Sequence, residues 1–135
     1  MKRFAALIAG LALAFVAPAF AFTATDAVSW TLPTTDVSGT PLAGTPNVLT
    51  GIKVYRSLAP LSDPVTIAPV TSLAASATSY TDTFTLSNGD TVYYYVVASN
   101  ASGDSVLSAP ASYTVNIPAA KPGAPVSVTL TVTLH

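Results

Sequence analysis

The chain has 135 residues, only 8% of them charged, and a formal net charge of −1, which suits one domain with a weakly charged surface. It contains no Cys, which excludes disulfides, a thiolate nucleophile and a cysteine zinc cluster. Few cations and a slight acidic excess also make it a poor match for a phosphate backbone or an anionic bilayer, so neither nucleic acid nor membrane surface is an expected partner.

Residues 1–21 read as a secretory signal peptide. Lys2 and Arg3 make a positive start, Phe4 to Val16 is apolar apart from Gly10, and Pro18 precedes Ala19-Phe20-Ala21, a small-x-small cleavage site. Pro18 cuts the apolar run below the roughly 20 residues a spanning helix needs. Cleavage after Ala21 predicts a secreted chain (extracellular, periplasmic or at the cell surface) with no membrane span. That chain carries Lys53, Arg56 and Lys121 against six Asp, a net charge of −3.

The remainder alternates with period two and is punctuated by Pro and Gly, which predicts strands. Asp26 to Leu32 places Val28, Trp30 and Leu32 on one face. Residues 33–47, with three Pro and two Gly, form a long loop. Val48 to Ser57 sets Ile52 and Val54 against Lys53 and Tyr55. After a turn at 58–64, Val65 to Val70 is an edge strand interrupted by Pro69, and Ser79 to Thr83 inserts Tyr80. Ser87-Asn88-Gly89-Asp90 is a turn. Thr91 to Asn100 alternates Val92, Tyr94, Val96 and Ala98 with Tyr93, Tyr95, Val97 and Ser99. Asn100 to Asp104 turns the chain into a partner strand, Ser112 to Ile117. No segment after the leader has a helical period.

The order SWTLP, PLAG…LTGIKVYRS, TSYTDT and NGDTVYYYVVASNASGDSVLSAP resembles a bacterial fibronectin type III domain over residues 26–117. Trp30 matches that family's core Trp, Gly51 to Tyr55 its third strand, and Val92 to Gly103 its sixth strand and following turn. The resemblance implies an all-β fold: a two-sheet antiparallel immunoglobulin-like sandwich over residues 22–117, with Trp30, Val54, Tyr80 and Tyr94 meeting between the sheets. Two departures stand out. Val92 occupies the place of the family's corner tyrosine, so Val92 faces inward and the corner is uncapped. Only Phe22 to Thr25 precede the Trp strand after cleavage, so the first strand is missing or very short.

Beyond a Pro-rich linker, 118–125, comes an extra C-terminal strand within 126–135. Val126, Val128, Leu130, Val132 and Leu134 form an unbroken apolar face; Ser127, Thr129, Thr131 and Thr133 form a polar one. Such a strand left unpaired invites aggregation. Residues 126–134 are expected to fill the edge left by the missing first strand within their own chain, to insert into a neighbour and so drive self-association, or to stand as a plain edge strand.

No catalytic residue, cofactor site or metal site is expected. The one His is His135, there is no Glu, and the six Asp fall mostly in turns. Asn100-Ala101-Ser102 matches a glycosylation acceptor, although a loop Asn bonding its own backbone is the simpler reading. The resemblance places Tyr93 and Tyr95 on the outer face of the sixth strand, beside Tyr55 and Lys53 on the third. These four are the expected ligand-binding residues, an aromatic patch for an extracellular protein or carbohydrate. The loops Pro33–Asn47 and Asn100–Leu107 are further candidates. The expected function is a secreted, non-catalytic binding or adhesion module; the alternative is a structural subunit that assembles by donating its C-terminal strand.

Overall fold

A computed structural model describes residues 21–43 and 48–118. Residues 1–20 of the expected leader, residues 44–47, and residues 119–135, which hold the expected linker after Pro118 and the expected strand, lie outside the described residues. The described chain is all-β, without helix, in two antiparallel sheets. β1 (Ala21–Ser29) pairs with β4 (Ser79–Ser87). The larger sheet holds β2 (Leu49–Ser57), β3 (Thr71–Leu73), β5 (Thr91–Asn100), β6 (Gly103–Asp104) and β7 (Ala111–Thr114) in the order β3-β2-β5-β6, with β7 also on β5.

The two sheets stack as a β-sandwich because each strand turns one row of apolar side chains to the other sheet. Val54, Val92, Tyr94 and Val115 from the larger sheet meet Leu86, Phe22, Ala24, Val28, Tyr80 and Phe84 from the smaller, with Trp30 beside them. The four residues expected to meet between the layers do so. Val92 is fully buried, as its inward parity requires. Each fully buried Val or Leu contributes about 1.5–3 kcal/mol. Phe84 and Tyr94 touch edge to face with centroids 6.4 Å apart, a geometry the ring quadrupoles favour.

Several boundaries differ from expectation. The first strand begins five residues earlier than Asp26 and ends before Trp30, because Phe22 and Ala24 extend the inward row of Val28. The residues read as too few for a separate strand thus lengthen β1. Trp30 keeps one further ladder bond, its N donating to Thr78 O at 3.0 Å, and its Nε1 donates to Ala77 O at 2.9 Å. The edge strand lies at Thr71–Leu73 rather than Val65–Val70, since Pro69 has no N–H to offer and pairing with β2 takes hold only from Val70, whose N donates to Val54 O. β4 runs on to Ser87, past the expected Thr83.

The turn at 87–90 forms as expected. Gly89 takes φ 93°, and Asp90 Oδ2 accepts the Ser87 N–H at 2.8 Å. β6 and β7 lie along the same edge of β5 but are not continuous. Between them Ser108 Oγ accepts from Val96 N at 3.0 Å and Ser105 Oγ from Ala98 N at 3.1 Å. Serine hydroxyls replace ladder carbonyls where the last strand is broken.

Candidate functional site

The expected aromatic patch shares one face, but that face is roofed. In the β2–β5 register Tyr55 lies opposite Tyr95 and Lys53 opposite Val97, with Tyr93 further along opposite Ser57. Tyr55 is only 6% exposed and Tyr95 3%. Leu61, Val65 and Leu107 pack over them, against Tyr93 and Val97. Tyr95 OH accepts from Leu61 N at 2.9 Å, and the Asp63 carboxylate accepts from Leu107 N. A row of large rings is apolar surface that burial rewards, so Leu61, from the expected turn at 58–64, and Val65, expected to open an edge strand, fold down as its cover. Tyr93 is half-buried. Lys53 is held by Asp104 at 2.6 Å. That bond holds the Asp104 carboxyl below the usual range, helped by Ser99, and raises the Lys53 amine. The four residues therefore form a second small core with an ion pair at its rim, and the expected open platform is corrected.

The two candidate loops do come together. Residues 33–42 and 98–105 line a hollow of about 270 Å³ at one pole. Asp36 Oδ1 accepts from Ser38 N and Thr40 N, closing the first loop on itself. Asn100 Oδ1 accepts from Ser102 N at 2.8 Å, the simpler of its two readings.

One opening into the apolar interior lies between the two sheets, beside β1. Among the described residues β1 has a partner on one edge only, β4. A cleft of about 470 Å³ runs along it, lined by Val28, Trp30, Ile52, Tyr94, Val106 and Ala111 among others. A neighbouring hollow of about 430 Å³ shares Val28, Tyr94 and Ala111 and continues to Asp26 and Tyr113. The two form one trough, apolar at the Trp30 end and polar at the Asp26 end. The Trp30–Thr78 bond sets the β1–β4 bonded pairs on the even-numbered residues of β1. Pairing alternates along an antiparallel ladder, so the N–H and C=O groups of Thr23, Thr25 and Ala27 face the trough edge.

The polar end is a cluster drawn from five strands. Arg56 Nη1 of β2 donates to Asp82 Oδ2 of β4. The Tyr94 hydroxyl of β5 sits 3.0 Å from Asp82 Oδ2 and 3.1 Å from Asp26 Oδ2 of β1. Having one proton, it spans both carboxylates as a forked donor. Tyr113 OH of β7 donates to Asp26 Oδ2 at 2.7 Å. Arg56 also lies over the Phe84 ring, 4.1 Å from its centroid. Burial and then the Tyr94–Asp82 bond push the Tyr94 phenol far above its ordinary value. Burial and then Asp26 push Tyr113 up to about 12. Asp26 and Asp82 were not singled out by the sequence, which favoured turns for Asp. The signal was there for Asp82: it shares parity with Tyr80, Phe84 and Leu86, so the strand had to carry it inward.

No family model, no curated protein and no solved structure matches this chain.

Proposed function

We propose that this chain is a non-catalytic module of an exported protein, of the fibronectin type III kind, that recognises extended polypeptide by adding it as a strand to β1. One observation carries the reading: β1 is paired on a single edge, and the other edge borders an apolar trough among the described residues. Strand addition draws affinity from main-chain bonds and specificity from alternate side chains entering a groove. Thr23, Thr25 and Ala27 supply the first; the trough supplies the second. The interior carboxylates already serve Arg56, Tyr94 and Tyr113, which favours binding over acid–base work. The roofed tyrosines make a carbohydrate platform the weaker reading.

The test uses the full chain with Val128→Asp, Leu130→Asp and Val132→Asp, so that its own apolar segment is a poor competitor for the peptide. A nine-residue peptide alternating Val and Thr should slow hydrogen exchange at Thr23, Thr25 and Ala27. A peptide of the same composition in blocks should not. Ala27→Pro removes one edge donor and should abolish the protection. Equal exchange with and without the alternating peptide sinks the reading.

A further inference from the structure

Resting on that reading of β1, we infer that the strand seated in the trough is residues 126–134 of the same chain, running parallel to β1 with its apolar side inward. The segment has the required pattern. Val126, Val128, Leu130, Val132 and Leu134 alternate with Ser127, Thr129, Thr131 and Thr133 over nine residues, enough to run alongside Phe22 to Ser29 of β1. Its apolar row would continue the inward row of Phe22, Ala24 and Val28, and its polar row the exposed row of Thr23, Thr25 and Ala27.

Direction follows from where the chain leaves the sandwich. Ile117 N donates to Asn88 Oδ1 at 2.7 Å, and Gly89 N donates to Val115 O at 2.9 Å. Ser87, the residue before Asn88, is the partner of Ala21 in the ladder. The chain therefore exits at the pole where β1 begins. From Pro118 to Val126 is eight residue steps, a reach of at most about 28 Å at ~3.5 Å each. β1 itself spans about 27 Å. An antiparallel strand from the same chain would have to start at the far pole, using nearly the whole reach of a linker that must also turn. A parallel strand starts at the pole the chain already occupies and brings Leu134 toward the apolar Trp30 end. A short tether also holds the segment at millimolar effective concentration, which favours its own trough over a neighbour's.

The chain has no Cys, so introduced pairs report without interference. Adjacent strands bring Cα atoms within the span a disulfide needs, and a displacement of four residues does not. Thr23→Cys with Ser127→Cys, and Ala27→Cys with Thr131→Cys, should each oxidise to an intramolecular link in dilute solution. The crossed pairs, Thr23→Cys with Thr131→Cys and Ala27→Cys with Ser127→Cys, should stay reduced. Linking of the crossed pairs alone would overturn the parallel direction. Links only between molecules, with a doubled mass in light scattering, would overturn same-chain seating in favour of a second copy. A second readout needs no cysteine: in the native chain the amides of Thr23, Thr25 and Ala27 should exchange about tenfold more slowly than in the Val128→Asp, Val132→Asp chain. No links and no slowing, with the Val-Thr peptide still protecting β1, would reject this segment and keep strand recognition. Loss of the peptide effect as well would reject both.

Discussion

Asp82 is 4% exposed and serves two donors, Arg56 and Tyr94. Truncating one member of a buried, bonded charge pair leaves the other without a partner in a poorly solvated place. Asp82→Ala should therefore lower unfolding free energy by about 3 kcal/mol, read from urea denaturation. Leu86→Ala should cost a similar amount, about 3 kcal/mol, by opening a cavity among Val54, Val92 and Tyr94 rather than by orphaning a charge. The two variants separate on double mutation with Arg56→Met. That change should restore part of the Asp82→Ala loss, because it removes the unpaired cation, and none of the Leu86→Ala loss.

At the level of strands, alternation in the sequence was enough to locate β5, whose inward row of Val92, Tyr94, Val96 and Ala98 is unbroken, and β2, whose inward row of Ile52 and Val54 ends in Arg56. β1 was harder to place, because Asp26 interrupts its apolar row and Trp30 lies just past its end. The cover over Tyr55 and Tyr95 was not legible at all: Leu61 and Val65 sit in a Pro-containing segment without period, and only the folded chain lays them on the rings. The broken last strand was hidden for the opposite reason, since Ser105 and Ser108 look like loop residues and act as ladder acceptors. Replacing both with Ala should speed amide exchange at Val96 and Ala98 and cost about 1 kcal/mol per lost bond. Proline scanning of β1 should show two-residue alternation. Ala27→Pro spares the bonds to β4, whereas Val28→Pro removes one and should lower the melting temperature much further.

Across the whole molecule, the phenols at the sheet interface couple stability to alkaline pH. Tyr94 and Tyr113 are raised in the folded state, Tyr113 to about 12. Below about pH 10 both are protonated whether the chain is folded or not. As pH rises beyond that, the unfolded chain loses these protons first, so the folded state holds more and stability falls. Denaturation midpoints should drop from about pH 10 upward, and Tyr113→Phe should flatten part of that slope. The same cluster has a consequence for assembly of the fold. Its five members come one each from β1, β2, β4, β5 and β7, so it closes only when every one of those strands is correctly threaded. Slipping any strand by one position sends its member to the outside and forfeits the bonds that member makes, so mis-threaded sandwiches lose stability at this one cluster. Replacing all five members with apolar residues of matching volume should leave a stable chain that has lost this proofreading, visible as more than one set of amide resonances.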